Sequence, residues 1–299
     1  MKEQIIKLKT EKNAVILAHY YAPAEVQEVA DFVGDSFFLA KAAKQSNADI
    51  IVFCGVSFMG ESAKILCPDK KVLMPDLTAD CPMAHMVEDG LIDKMKEKYD
   101  DLAVVCYINS TAELKCQSDV CVTSSNAVKI VNELPNKNIF FIPDKNLGRF
   151  VAAQVPHKRI ILNEGCCPLH AGLTPAQVTE QKDLHPAALV LAHPECSPEL
   201  LALADFIGST AEIIAFAKNN PATEFIIVTE DGVDFKLCKD NPEKKFYFPA
   251  PSPCCKDMKL NTLSSLLDVL IKEDKEVILS EDVINGALVP LDRMLELGK

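Results

Sequence analysis

Asp31-Phe32-Val33-Gly34-Asp35-Ser36 and Asp205-Phe206-Ile207-Gly208-Ser209-Thr210 are two copies of one text, and Asp119-Val120-Cys121-Val122-Thr123-Ser124 is a weaker third. Seventeen residues before each closing hydroxyl, a β-branched run ends in a ring residue: His19, Tyr107 and His193. The copies recur at intervals of 88 and 86 residues. That period is longer than a solenoid repeat and close to the size of a small domain. Around these anchors, short apolar runs alternate with amphipathic patterns, the mark of βαβ units and parallel sheets. The runs predict strands at Ala14–His19, Ile50–Phe53, Val72–Met74, Ala103–Ile108, Ile139–Ile142, Arg159–Leu162, Ala188–His193, Glu224–Val228 and Phe246–Phe248. Helical periodicity falls at 2–12, 37–46, 85–99, 126–134, 174–183, 211–219, 262–272 and 282–297. The chain therefore reads as α/β, built of three similar units with parallel sheets.

The tail needs a place in this scheme. Its helix at 262–272 precedes a predicted strand, Glu276–Leu279, and a final helix, so it starts a fourth unit that cannot finish. It is expected to complete the first unit and close the three on one another. The expected domains are 1–84 together with 259–299, then 85–170, then 171–258.

Composition narrows the function. Of 299 residues, 31 are Lys or Arg and 43 Asp or Glu, a formal charge of −12. A phosphate backbone is met by a basic stripe, and none is present, which argues against nucleic acid. No apolar run reaches the ~20 residues of a membrane span. The N-terminal segment is amphipathic and lacks the apolar core of a signal peptide. A soluble, cytoplasmic protein is expected.

In open parallel sheets, ligands bind beyond the carboxyl ends of the strands. His19, Tyr107 with Asn109, and His193 with Glu195 stand at such ends. Ser36, Ser124 and Thr210 each precede a helical pattern, where free N–H groups and a positive dipole receive carboxylates and phosphates. A single such hydroxyl is best read as a plain helix cap. Three, each paired with a ring residue in the same register, point to one central, locally electropositive cavity for a small polyanionic substrate.

Twelve cysteines are many for such a chain. Without an export signal they do not read as a disulfide framework, and no Cys-x-x-Cys pair suggests a zinc ribbon. Cys81, Cys167 and Cys255, separated by 86 and 88 residues, each follow the third strand of a unit. Cys166 and Cys254 are immediate neighbours and almost as well placed. One thiolate per unit makes a three-cysteine site, poor for zinc but suited to a cubane iron–sulfur cluster with one iron free of protein ligands. Such an iron is a Lewis acid that promotes loss of water. A dehydration also needs acid–base groups, for which Tyr21 and Glu195 are the candidates.

The segments Ile16-Leu-Ala-His-Tyr-Tyr21, Gly34-Asp-Ser36, Cys81-Pro-Met-Ala84, Tyr107-Ile-Asn-Ser-Thr111, Thr123-Ser-Ser-Asn126, Cys167-Pro-Leu-His170, His193-Pro-Glu195, Gly208-Ser-Thr210 and Cys255-Lys-Asp-Met258 resemble quinolinate synthase, nearly end to end. The resemblance implies three three-layer αβα domains around a pseudo-threefold axis and an oxygen-sensitive [4Fe–4S] cluster held by Cys81, Cys167 and Cys255. It implies condensation of iminoaspartate with dihydroxyacetone phosphate to quinolinate, with release of phosphate and two waters, in de novo NAD biosynthesis. An aspartate-oxidising enzyme is the implied functional partner. His19, Ser36, Tyr107, Asn109, Ser124, His193, Glu195 and Thr210 match the substrate-binding positions. Tyr21, His19, His193 and Glu195 match catalytic ones, Tyr21 for isomerisation and proton transfer and Glu195 as general acid–base. Tyr20, Ala22 and Gly60 depart from the usual residues, at positions that touch no ligand, and the Cys-Pro and Cys-x-x-Met contexts favour the second member of each vicinal cysteine pair.

Cys54, Cys106 and Cys121 read as core residues, and Cys67, Cys116 and Cys238 as ordinary thiols. His85, His157 and His185 fall in helix or loop positions, and His170 is divided between the surface and a place behind Cys167. The alternatives at this stage are a different [4Fe–4S] hydro-lyase acting on a small hydroxy acid and a non-catalytic anion- or metal-binding regulator.

Overall fold

The computed structural model describes residues 1–299. Its strands form three separate four-stranded sheets, every neighbouring pair of which is parallel. The first sheet holds β1 (Ala14–His19), β2 (Phe32–Gly34), β3 (Ile50–Cys54) and β4 (Lys71–Leu73). The second holds β5 (Leu102–Tyr107), β6 (Val120–Val122), β7 (Asn138–Ile142) and β8 (Arg159–Leu162). The third holds β9 (Leu189–Ala192), β10 (Phe206–Ile207), β11 (Glu224–Val228) and β12 (Lys245–Tyr247). All three share one order, β2-β1-β3-β4 in the first. The chain leaves the first and third strands of each sheet in opposite directions, which opens a crevice at their carboxyl ends.

The repeated aspartate has a structural duty. Asp31, Asp119 and Asp205 accept the backbone N–H of Ile16, Val104 and Val190 through a side-chain oxygen, at 2.9, 2.7 and 2.8 Å. Their own N–H groups donate back to the carbonyls of those same residues. Each aspartate thus pins the short second strand against the first, which lets a pairing of only two or three residues hold register.

Central strands are apolar on both faces, as buried parallel strands are. The first two units share one continuous core, which includes Ala287, Leu291 and Met294 of the helix Glu281–Leu297, while the third unit has separate clusters on its two faces. The helix Leu263–Lys272 covers the first sheet beside the N-terminal helix Lys2–Glu11. The helix Glu281–Leu297 lies across Ser57–Leu66 and Ala112–Cys116, joining the first unit to the second.

Two expectations change. The segment Glu276–Leu279 is no strand: it meets the β4 edge in a single antiparallel bridge, Leu73 to Glu276. The pattern at 85–99 is broken, because Gly90 sits at φ +72° and the helix starts only at Leu91. A left-handed residue cannot continue a right-handed helix. The helices Ser57–Leu66 and Lys145–Gln154 were not apparent from periodicity. Each carries a glycine, Gly60 or Gly148, where a Cβ would come within 2.5 Å of Met74 or Leu162. These glycines let helix and sheet approach closely, and they interrupt the apolar pattern.

Candidate active site

The crevices of the three sheets open on one cavity of about 380 Å³, lined by all three units. Every residue singled out by the repeat lines it: His19, Tyr21, Ser36, Tyr107, Asn109, Ser124, His193, Glu195 and Thr210, with Cys81, Cys167 and Cys255.

The strand ends fix the two histidines alike. His19 Nδ1 accepts the Tyr21 N–H at 3.2 Å, and His193 Nδ1 accepts the Glu195 N–H at 3.3 Å. Burial, reinforced for His19 by the nearby His193, pushes both rings down to about 3. Each is therefore neutral with its proton on Nε2, a donor that costs no buried charge. The 3.5 Å approach of His193 Nδ1 to Glu195 Oε2 is accordingly not an ion pair.

Ser36 and Thr210 are the first residues of the helices Ser36–Gln45 and Thr210–Asn219, while the capping is done by Asp35 and Ser209. Freed from capping, the Ser36 hydroxyl remains available to a ligand, while that of Thr210 is 2.7 Å from the Tyr21 hydroxyl. Ser124 lies in the turn before Ala127–Glu133. Asn109 Oδ1 and Glu195 Oε1 are buried without a hydrogen-bond partner, and in a polar cavity such orphans mark places a ligand satisfies.

Glu195 is almost wholly buried. Burial works against its ionised form, but the hydrogen bond from the His170 ring helps hold the carboxyl below its ordinary range. His170 Nδ1 lies 2.8 Å from Glu195 Oε2, and its Nε2 lies 2.9 Å from Thr229 Oγ1. Thr229 Oγ1 is 2.8 Å from the Tyr21 hydroxyl, which is 2.7 Å from Thr210 Oγ1. A carboxylate only accepts, and with a single proton on the His170 ring the whole chain has one order. His170 Nδ1–H donates to Glu195, Thr229 donates to His170, Tyr21 to Thr229, and Thr210 to Tyr21. Burial raises the Tyr21 phenol well above its ordinary value, so it holds its proton.

His170, left between surface and site by the sequence, is 2% exposed and belongs to this chain. Thr229, Asp144 and Glu230 were missed. The spacing of Asp144 and Glu230 equals a repeat interval and was the available signal. The cavity's side-chain charge also reverses the expectation of an electropositive pocket. Asp35, Asp80, Glu195, Glu230 and Asp257 line it against Lys256 alone. Any pull on an anion comes from neutral donors and helix ends, which attract negative charge without a cation.

The three cysteines stand each at the start of a short helical turn, before Pro82–His85, Pro168–Gly172 and, three residues on, Met258–Leu260. All are free thiols. Burial pushes Cys81 up to about 12 and raises Cys167 and Cys255, while backbone N–H groups of the following turn pull each back. Three sulfurs from three loops, converging on one cavity and aimed at turn N–H groups that favour thiolate, are a fitting donor set for a thiolate-ligated metal centre. Cys167, His170 and Glu195 also bring ligand atoms within 4.8 Å of one another. Cys254 sits on the exposed rim, and Cys166 stands outside the lining. Cys54, Cys106 and Cys121 are in the core, as expected.

A family profile described as quinolinate synthetase A protein matches residues 3–296. The chain is 54% identical to a quinolinate synthase of Caldicellulosiruptor bescii, over 100% of this chain and 98% of that one. It is 53% identical to one from Fusobacterium nucleatum, over 100% and 99%, and 48% identical to one from Clostridioides difficile, over 99% and 97%. No helix is long and apolar enough to cross a membrane.

Proposed function

The chain belongs to the quinolinate synthetase A family, an enzyme family of NAD biosynthesis, and from that premise we propose that its central cavity converts iminoaspartate and dihydroxyacetone phosphate into quinolinate. Phosphate and two waters leave. The observation that carries this reading is the convergence of Cys81, Cys167 and Cys255 on the cavity whose wall holds Tyr21 and Glu195.

In this reading Cys81, Cys167 and Cys255 hold a [4Fe–4S] cluster, which supplies Lewis acidity for the loss of water. Carbon–carbon bond formation, ring closure and dehydration each need a proton taken from the substrate or given to a departing oxygen. Glu195, ionised and with Oε1 unpartnered, is the base at one end of the hydrogen-bonded chain. Tyr21 is the proton holder at the other. The donor order lets a proton pass from Tyr21 through Thr229 and His170 to Glu195 Oε2. A proton that Tyr21 Oη takes from the substrate replaces the one it passes on, so the phenol stays neutral and Glu195 gains the proton that serves a leaving group.

The neutral Nε2–H groups of His19 and His193 hold substrate oxygens, and Asn109 Oδ1 accepts from the substrate nitrogen. Ser36 and Ser124 present hydroxyls to phosphate and carboxylate, and the helix-end N–H groups beside them and beside Thr210 add to these. Tyr107, at the end of β5, closes the wall between the first two units. The three-domain division at 84/85 and 170/171, with 259–299 returned to the first domain, belongs to the same proposal, as do the cytoplasmic location and supply of the unstable imine by an aspartate-oxidising partner.

The test is anaerobic purification followed by turnover. A brown protein with about four irons per chain that forms quinolinate from enzymatically generated iminoaspartate and dihydroxyacetone phosphate supports the reading. Colourless, zinc-loaded protein from the same preparation overturns it.

A further inference from the structure

Each of the three cysteines gives its backbone N–H to a carboxylate. Cys81 donates to Asp80 Oδ1 at 2.8 Å, Cys167 to Asp144 Oδ2 at 2.8 Å, and Cys255 to Glu230 Oε1 at 3.0 Å. Asp144 and Glu230 stand two residues beyond β7 and β11, in the same register of their units. The matching place in the first unit, two residues beyond β3, is Val56. There the N–H is taken by the residue directly before the cysteine, Asp80. The same bond is thus reached from a different position where the repeat lost the acid, which inherited symmetry alone does not explain.

Asp144 and Glu230 are fully buried, and an acid in that position is costly unless its oxygens are satisfied. Both satisfy theirs on the loops that matter. The second oxygen of Asp144 accepts the Leu147 N–H at 2.7 Å, and that of Glu230 accepts the Gly232 N–H at 2.7 Å. The peptide before each sulfur is therefore pinned by a carboxylate, while the turn after it points N–H groups at the sulfur. With its N–H diverted, no cysteine can direct that donor at cluster sulfur. Donors to sulfur stabilise the more negative, reduced cluster and raise its potential.

We propose that Asp80, Asp144 and Glu230 are positioning residues that orient the three cysteine loops for the cluster and keep its reduction potential low by withholding the cysteine N–H groups. The proposal rests on the three-cysteine reading above.

The experiment compares anaerobically reconstituted wild-type protein with Asp144→Leu, Glu230→Met and Asp80→Ala, each of which removes the acceptor of the cysteine N–H. Iron and sulfide content, resistance of the cluster to chelator and a redox titration are read on each. The expected result is a potential shifted to more positive values in each folded variant, with cluster retention about 10- to 100-fold weaker. Circular dichroism of the apo-protein identifies folded variants. Asp80, whose side chain is 42% exposed, tolerates replacement where the buried pair does not. Wild-type protein that takes up no iron overturns the cluster reading itself. A wild-type cluster with folded variants of unchanged potential and retention overturns the assignment of the three acids.

Discussion

Two side chains, Thr229 and His170, join the phenol of Tyr21 to the carboxylate of Glu195 by successive contacts of 2.8, 2.9 and 2.8 Å. Tyr21 comes from the first unit, His170 from the second, and Thr229 and Glu195 from the third, so the link exists only when the units are assembled. A ring at the end of the Cys167-Pro-Leu-His170 segment and a hydroxyl outside every quoted motif thereby connect the two acid–base candidates.

Removing the hydroxyl of Thr229 cuts this link with little change in shape. Thr229→Val is expected to lower kcat about 100-fold, the lower range for one acid–base contribution, with KM nearly unchanged. It also leaves His170 Nε2 unpaired, at about 1–3 kcal/mol of stability. Steady-state kinetics and thermal melting check both, and an unchanged kcat shows that the chain carries no proton.

Acid should unfold the metal-free protein through its buried rings. His19 and His193 take up protons in the unfolded chain below their ordinary 6.5, but in the folded one only near about 3. Stability is therefore full above pH 6.5 and is lost as pH falls from there toward 3, by up to about 1.4 kcal/mol per pH unit for each ring. Glu195, held below its usual carboxyl value, adds loss in the same direction below about 4.5. Melting temperatures across this range measure the slope, which His19→Gln should flatten. An equally steep slope in that variant contradicts the assignment.

The vicinal pairs separate the ligand assignment cleanly. Cys255→Ala and Cys167→Ala should take up no stable cluster, whereas Cys254→Ala and Cys166→Ala should load as wild type does. Iron and sulfide analysis after anaerobic reconstitution decides it, and loss of cluster on changing Cys254 would transfer the role to the rim thiol.

Gly232 marks where the third unit touches the Tyr21 loop. A Cβ there would lie 2.8 Å from Tyr21 Cα, and equally close to Lys259 Nζ and Glu230 Oε2. The Tyr21 backbone is held by Lys259, whose ammonium donates to its carbonyl at 2.9 Å, so it cannot simply move aside. Gly232→Ala is expected to cost about 1–3 kcal/mol and to lower kcat by displacing Tyr21. Calorimetry and kinetics test this, and a neutral effect on both would show the loop to be free to shift.

The repeat made the architecture legible because Asp31, Asp119 and Asp205 do one job at one position, and identical duties preserve identical text. Periodicity did not show β2, β6 and β10, two- or three-residue strands whose register is held by the aspartate before each and not by a pattern of their own. The segment 276–279 has a strand's composition, but only one bridge at a sheet edge. In the site, ring residues and hydroxyls at strand and helix ends were readable from spacing. His170 was not, because a histidine on a short turn has the same local sequence whether it faces solvent or a carboxylate from another unit. The acidic lining was hidden for a related reason: Asp80 is held by the Ser57 hydroxyl, and Glu230 by the Cys255 N–H and Lys259, partners set by the tertiary fold.

The helix Glu281–Leu297 has a consequence for the order of events at synthesis. It packs on the helices Ser57–Leu66 and Ala112–Cys116, yet it leaves the ribosome after all twelve strands. Units that emerge first begin folding first. The seam between the two earliest units therefore stays unsealed while the third is being made, and a helix that emerges after the third acts as its closing wedge.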